Sequence, residues 1–187
     1  MNTAKFLYIH GYGSNGNAWK KKLLQEMSPE NEVLAPTFDY NKLTPLEIYK
    51  SLQRIVNEND VKVIVGSSTG GFYALACSTF SDAEIWAINP VVNLEVTFRK
   101  ILLQKEKTVS TEAERMFRLY KKFQSEVFDQ IPLPNKNINL ALSTDDELLG
   151  DHSATKQRFA NCGKIVELDN SGHHFLRFIE LKNLLNH

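Results

Sequence analysis

Short apolar runs alternate with longer helix-like segments along most of the chain. Six of these runs have the length and apolar composition of buried strands, and turn-forming or charged residues bound them. They cover residues 6–9, 33–38, 61–65, 84–88, 139–143 and 165–168. The pattern therefore predicts six short strands.

Helical patterns fill most of the intervals between these runs. Thr44 and Glu47 have the spacing of a capping box, and Pro45 occupies the first helical position between them. The apolar stripe of that helix follows at Ile48, Leu52 and Ile55. Further helices are predicted over residues 70–80, 153–159 and 175–185.

Residues 93–130 differ from the rest, because they show helical spacing without an intervening strand. Thr111 and Glu114 offer a second capping box there. Strands that alternate with helices indicate right-handed crossovers and a mainly parallel sheet with helices on both faces. The sequence thus predicts one α/β domain over residues 1–187, with residues 93–130 as a helical insertion or cap after the fourth strand.

Composition and charge make some classes of binding partner and some cellular compartments less favoured. The 22 basic and 22 acidic residues give a formal net charge of zero, so no broad field favours nucleic acid or a membrane surface. Cys77 and Cys162 fit neither a zinc-ligand spacing nor a disulfide framework, which favours a reducing compartment. With no signal-peptide pattern and no apolar stretch of membrane-spanning length, we expect a cytoplasmic protein without membrane insertion.

A G-x-S-x-G pattern follows the third predicted strand and precedes a predicted helix. Gly66 and Gly70 flank Ser68 at two residues on either side. A serine hydroxyl is a weak nucleophile, and a tight strand-to-helix turn projects it out of the sheet towards a base. We therefore predict that Ser68 is a catalytic nucleophile; the alternative is a glycine-rich turn that only packs closely.

An acid and a histidine should follow in chain order after later strands. Two adjacent acids stand at the end of the fifth strand; Asp146 is preferred, since Leu148 can anchor the loop behind it, and Asp145 is the alternative. Two adjacent histidines follow the sixth strand, and His173 is preferred because it directly follows the flexible Gly172.

His174, the second of these two histidines, is the alternative base. His152 and His187 lie at the end of no predicted strand, and we interpret both as surface residues.

The loop after the first strand holds three of the nine glycines. Acyl transfer needs two N–H donors for the developing oxyanion, and we expect them from Thr69, after the nucleophile, and Tyr12 in this loop. His10 and Gly11 would line the site. The same loop also reads Gly11-x-Gly13-x-x-Gly16, a dinucleotide fingerprint, with Asp39 about twenty residues on.

Several motifs together resemble the YqiA-like esterases of the α/β-hydrolase superfamily. They are Tyr8-Ile9-His10-Gly11, the stretch from Gly66 to Ala74, Ile88-Asn89-Pro90, Thr144-Asp145-Asp146-Glu147 and His173-His174-Phe175. The resemblance spans nearly the whole chain and implies hydrolysis of acyl esters or thioesters without a metal or organic cofactor. It also implies Ser68, Asp146 and His173 as the triad, although that family usually has glycine where Asp145 stands.

The sequence thus predicts a cofactor-free serine hydrolase of a small acyl ester or thioester. Activity should rise through about pH 6 to 7 as the histidine loses its proton. The helical insertion would form a cap over the acyl site with Phe98, Leu102, Phe117 and Phe123; the alternative is that its helices are ordinary ones that pack on the sheet. The alternatives are an NAD(P)-dependent oxidoreductase that uses the first loop and a catalytically silent α/β-hydrolase-fold binding protein.

Overall fold

The computed structural model describes residues 4–105 and 109–185. Its centre is a six-stranded sheet in the order β2-β1-β3-β4-β5-β6, and every neighbouring pair is parallel. The strands are β1 (Lys5–Ile9), β2 (Glu32–Leu34), β3 (Val61–Ser67), β4 (Glu84–Ile88), β5 (Ile138–Ser143) and β6 (Ile165–Leu168). The predicted α/β class and the six strands are confirmed, and the bounds of β4 and β6 are those predicted.

Seven α-helices lie within the described residues. They are α1 (Trp19–Met27), α2 (Pro45–Asn59), α3 (Thr69–Cys77), α4 (Leu94–Lys105), α5 (Thr111–Glu126), α6 (Ser153–Arg158) and α7 (Lys182–Leu185). Short 3-10 turns follow α5 at Phe128–Gln130 and precede α7 at Phe178–Leu181. The capping box at Thr44 is present, since its hydroxyl accepts from the Glu47 N–H and the Glu47 carboxylate accepts from the Thr44 N–H.

Three predicted boundaries are wrong for identifiable reasons. The apolar run at 33–38 contains Pro36, which has no N–H for a sheet ladder, and β2 ends at Leu34. Helix α5 is capped by Ser110, whose hydroxyl accepts from the Ala113 N–H, one residue before the predicted cap. The closing helix starts later than predicted: Phe175 adopts a left-handed φ of 53°, a 3-10 turn occupies Phe178–Leu181, and the α-helix begins only at Lys182.

Apolar side chains cover both faces of the sheet. One face packs against α2, α3 and α5, and its core includes Phe72, Tyr73 and Phe123. The other face packs against α1 and the C-terminal helical segment through Trp86 and Phe178, among others. The sheet is therefore buried on both faces, as parallel sheets normally are. Polar side chains can cluster instead at the edge formed by the carboxyl ends of the strands.

Helices α4 and α5 occupy the connection between β4 and β5. The Arg99 guanidinium of α4 donates to both carboxylate oxygens of Glu114 on α5, at 2.7 and 3.2 Å, and to Glu95 at 2.8 Å. This network joins the two helices side by side. No helix among the described residues is long and apolar enough to cross a bilayer.

Candidate active site

Ser68 lies at the sharp turn between β3 and α3. Its φ of 55° and ψ of −118° are unusual for a non-glycine residue and aim the side chain away from the sheet. The backbone is fixed there because the Ser68 N–H donates to the Ile88 carbonyl at 2.9 Å and the Val91 N–H donates to the Ser68 carbonyl at 3.2 Å. The strain is thus held by hydrogen bonds to the residues that end and follow β4.

The two glycines of the motif are required by close backbone approach. A Cβ on Gly70 would lie 2.1 Å from the Ile9 carbonyl oxygen, and one on Gly66 would lie 2.2 Å from that of Gly70. Both distances are far below van der Waals contact. The G-x-S-x-G spacing therefore allows α3 to start directly against β1 and β3.

The structure brings Ser68, His173 and Asp146 together in one hydrogen-bonded row. The Ser68 Oγ lies 2.9 Å from the His173 Nε2. The His173 Nδ1 lies 3.0 and 2.9 Å from the two carboxylate oxygens of Asp146. The His173 side chain is 11% exposed and that of Asp146 is fully buried, so the serine end of the row is the accessible one.

The Asp146 carboxylate is kept ionised by its donors. Its Oδ1 accepts from the N–H groups of Leu148 and Leu149, at 2.9 and 2.8 Å. Burial opposes ionisation, but the hydrogen bonds from His152, His173 and Leu149 outweigh it and hold the pKa of Asp146 well below its usual range. The carboxylate is a fixed negative charge at neutral pH.

The acids on either side of Asp146 hold the histidine loop instead of contacting the imidazole. Asp145, the alternative acid, accepts from the N–H groups of Ser171 and Gly172 at 3.0 and 3.1 Å. The Glu147 carboxylate accepts from the His173 N–H at 2.8 Å. His174, the alternative base, is exposed, and its ring centroid lies 6.1 Å from that of His173.

Asn89 is a supporting residue that sequence reasoning did not assign. It is fully buried directly after β4, where its Oδ1 accepts from the Ser143 N–H at 2.7 Å. Its Nδ2 donates to the carbonyls of Gly172 and His173 at 3.0 and 3.1 Å. One amide thus ties the end of β5 to the histidine loop; the available signal was an asparagine-proline pair at the end of a strand.

His152 does not lie on the surface, and that expectation was wrong. Its side chain is 2% exposed, and its Nε2 lies 3.1 Å from the Asp146 Oδ2. The position before α6 turns the chain inwards, since His152 has a left-handed φ of 53°. His187 lies outside the described residues.

The first loop lies against the serine through Gly11. A Cβ on Gly11 would be 3.3 Å from the Ser68 Cβ, so the next residue, Tyr12, starts close to Ser68. A turn closed by the Ser14 N–H and the Gly11 carbonyl at 3.2 Å shapes this loop. Thr69 is buried in the first turn of α3, where helical N–H groups have no acceptor within the helix.

His10 supports this loop from below rather than facing a substrate. It is fully buried, and its Nε2 accepts from the Phe38 N–H at 2.9 Å while Nδ1 lies 2.8 Å from the Gly11 carbonyl oxygen. Because Nε2 accepts a hydrogen bond, the ring must be neutral and carry its proton on Nδ1. Burial lowers the pKa of His10, which also favours the neutral ring. Its carbonyl accepts from the Tyr40 hydroxyl at 2.6 Å.

A cavity of about 240 Å³ opens beside the first loop, between α4 and α5. Its lining is largely aromatic and aliphatic and includes Tyr12, Phe98, Leu102 and Phe117. Phe123, expected in the same surface, instead packs in the core, with its ring centroid 5.9 Å from that of Phe72. Three of the four residues expected to cover an acyl site therefore line one cavity.

The structure gives less support to a dinucleotide-binding site or a metal site at the carboxyl edge of the sheet. The strand order 2-1-3-4-5-6 differs from the 3-2-1-4-5-6 order of classic dinucleotide-binding sheets. A Cβ on Gly16 would lie 2.0 Å from the Ala35 carbonyl oxygen, so this glycine serves chain packing. Within residues 4–105 and 109–185, no group of three or more histidine, cysteine, aspartate or glutamate side chains could hold a metal ion.

The parallel sheet, the turn at Ser68, the acid after β5 and the histidine after β6 define the α/β-hydrolase fold. Est1E from Butyrivibrio proteoclasticus is similar over 98% of this chain and 87% of its own, with 15% identity and a TM-score of 0.71. The esterase domain of a Rhodothermus marinus protein is similar over 97% of this chain and 84% of its own, with 18% identity and a TM-score of 0.69. The thioesterase domain from the curacin biosynthetic pathway covers 98% of this chain and 91% of its own length, with 14% identity and a TM-score of 0.60.

The sequence identifies the family more narrowly than the fold does. Residues 5–186 match the family described as "Uncharacterised protein family (UPF0227)", and the chain belongs to that family. This is the YqiA-like family that the sequence motifs resemble, so that prediction is confirmed.

Proposed function

We propose that the protein is a serine hydrolase that cleaves an acyl ester or thioester through an acyl-enzyme on Ser68. The observation that carries the proposal is the continuous row from the Ser68 Oγ to the His173 Nε2 and from its Nδ1 to Asp146. The named esterases and the thioesterase of the same fold support this reaction class. Cys77 and Cys162 are both buried and free, which fits the proposed cytoplasmic location.

The row has the order that nucleophilic catalysis needs. His173 takes the Ser68 proton at Nε2 as Oγ attacks the acyl carbon, and the ring then gives that proton to the leaving oxygen or sulfur. Asp146 accepts from Nδ1 throughout, which fixes the tautomer and stabilises the imidazolium. A water molecule, deprotonated in turn by His173, releases the acid and restores the serine.

The oxyanion would be received by two backbone donors. The Thr69 N–H at the start of α3 is one, and the helix dipole adds a favourable field there. The Tyr12 N–H is the other, because Gly11 packs directly on Ser68. Loss of one such donor typically costs about 10²–10³-fold in kcat.

The cavity between α4 and α5 would hold the apolar part of the substrate, so these helices act as a cap. The cavity of about 240 Å³ has a largely apolar lining, which suits an acyl chain. We expect kcat/KM to rise along a series of p-nitrophenyl esters up to a medium acyl chain and then to fall. Ala113→Leu, which fills part of the cavity from α5, should move the optimum to a shorter chain; an unmoved optimum would assign the acyl group elsewhere.

A fluorophosphonate probe tests the proposal directly. Wild-type protein should be labelled covalently at neutral pH, and Ser68→Ala should abolish labelling. Ser67→Ala is the matched control and should be labelled like the wild type. Ser67 is the adjacent serine, but its hydroxyl accepts a hydrogen bond from Lys20, and Ser67 should not be labelled itself. Absence of labelling in a folded wild type would favour a silent binding protein, and labelling that survives in Ser68→Ala would place the nucleophile elsewhere.

A further inference from the structure

The carboxylate of Asp146 is shared by two imidazoles. His173 approaches it with Nδ1 at 2.9 Å from Oδ2, and His152 approaches the same oxygen with Nε2 at 3.1 Å. The three side chains are almost completely removed from solvent, with exposures of 11%, 0% and 2% for His173, Asp146 and His152. A triad needs only one of these two histidines.

The direction of both hydrogen bonds follows from the charge on the acid. An ionised carboxylate only accepts, so His152 must donate from Nε2 just as His173 donates from Nδ1. Each donor draws negative charge towards itself, and the share taken by His152 is not available to an imidazolium at His173. The two rings therefore compete for one charge.

We propose that His152 is a positioning residue that sets the basicity of His173 through Asp146. By holding part of the carboxylate charge, it keeps His173 unprotonated, and therefore able to deprotonate Ser68, down to a lower pH. This inference rests on the proposed function of the row, and it adds a second histidine to the set that controls the reaction.

The surroundings of the ring leave Asp146 as its main charged partner. Asp151, the preceding residue, interacts electrostatically with His152, but it is exposed and accepts from the Ser153 N–H at 3.0 Å. Lys156 of α6 is paired with Glu167 at 2.9 Å. The segment after β4 and the neighbouring part of α4 face His152 across a cavity of about 250 Å³ with uncharged residues: Pro90, Val91, Val92, Asn93 and Thr97.

Two variants at one position separate tuning from packing. His152→Gln keeps an N–H donor near the place of Nε2, whereas His152→Met is an unbranched side chain of similar length without a donor. Both carry the same strain at the left-handed φ of 53°. In His152→Met the acid limb of the kcat/KM–pH profile should move up by about half a pH unit or more, and His152→Gln should stay near wild type.

A limb that stays in place in His152→Met would overturn the proposal. An equal shift in both variants would also overturn it, since it would reflect packing and not hydrogen bonding. The midpoint of the His173 titration, followed by NMR without substrate, should move in the same way. That measurement needs no turnover, so it separates a failure here from a failure of the proposed hydrolase activity.

A further measurement covers the case in which His152→Met does not fold. Wild-type protein should show two imidazole N–H protons shifted downfield by bonds to one carboxylate, and His152→Gln should show one. A wild-type spectrum with a single such proton would contradict the shared carboxylate.

Discussion

Lys20 is a buried cation with no carboxylate partner within residues 4–105 and 109–185, and removing its charge should stabilise the protein. It lies on the face of α1 that also buries Leu24 and Met27, and it is 5% exposed. Its ammonium donates to the Ser67 Oγ at 3.0 Å, and it forms no ion pair with an acid among the described residues. Burial lowers the pKa of Lys20 from 10.5 to about 8.

The size of the effect follows from that shift in pKa. A fall from 10.5 to about 8 corresponds to roughly 3 kcal/mol of cost for keeping the ammonium charged in the folded protein at pH 7. Lys20→Met removes this cost, but it also leaves Ser67 without its donor and ends the contact of the ammonium with the Trp19 ring at 5.1 Å, which together take back about 2 kcal/mol. We therefore expect Lys20→Met to raise the free energy of unfolding by about 1 to 2 kcal/mol at pH 7.

The sign of the pH dependence is fixed by which state binds more protons. Because the folded pKa of Lys20 lies below the unfolded one, the unfolded chain holds more protons between about pH 8 and 10.5, and wild-type stability rises across that window. Buried groups such as Tyr8 and Cys77, whose pKa values are raised by burial, oppose this at high pH. They are common to both proteins, so the difference between variant and wild type isolates Lys20.

Urea unfolding at pH 7, 8 and 9 measures that difference. The advantage of Lys20→Met should shrink by roughly 1 kcal/mol between pH 7 and pH 9, because wild type loses part of its buried charge. Lys22→Met on the exposed side of the same helix is the control and should show little effect at any of these pH values. A variant less stable than wild type at pH 7, or an advantage independent of pH, would refute the desolvation argument.

Three further predictions concern the support of the row. Asn89→Ala leaves the Ser143 N–H and the His173 carbonyl without their hydrogen-bond partner. The free energy of unfolding in urea should therefore fall by about 3 kcal/mol, and fluorophosphonate labelling should become slower. Unchanged values would contradict the role of Asn89 in joining β5 to the histidine loop. Asp146→Asn should reduce hydrolysis by ~10⁴-fold while Asp145→Asn reduces it far less, and equal losses in assays of kcat/KM would reopen the choice of acid. The folded pKa of Asp146 is depressed, so its contribution to stability is present above about pH 4 and is lost as the pH falls below that value. The free energy of unfolding of Asp146→Asn should therefore depend less on pH in acid than that of the wild type.

Most of the sheet could be predicted because each strand is a short buried run with a clear stop. Glu84–Ile88, for example, ends at an asparagine-proline pair, and the structure has those bounds. Helix α1 was not recognised as an amphipathic element, since one of its buried positions is Lys20. A hydropathy pattern counts lysine as exposed, and only the tertiary contact with Ser67 explains its burial.

Some residues of the site can be predicted from local sequence, whereas others depend on contacts between distant parts of the chain. Ser68 could be placed because the glycine spacing and the strand-to-helix turn are local. Asn89 and His152 could not be placed, since Asn89 acts on residues 54 and more positions away and His152 reaches Asp146 through a left-handed turn. Neither the register of β5 against β4 nor that turn is visible in composition or periodicity.

The choice between neighbouring acids illustrates why those contacts matter. In a loop that leaves a strand, successive side chains point in different directions, so only Asp146 turns into the protein towards the imidazole Nδ1. Asp145 and Glu147 point to the backbone of the histidine loop, where they accept from the N–H groups of Gly172 and His173. The three acids are therefore not competing candidates for one role. One contacts the imidazole and its two neighbours fix the loop that carries it, so the position of His173 depends on all three.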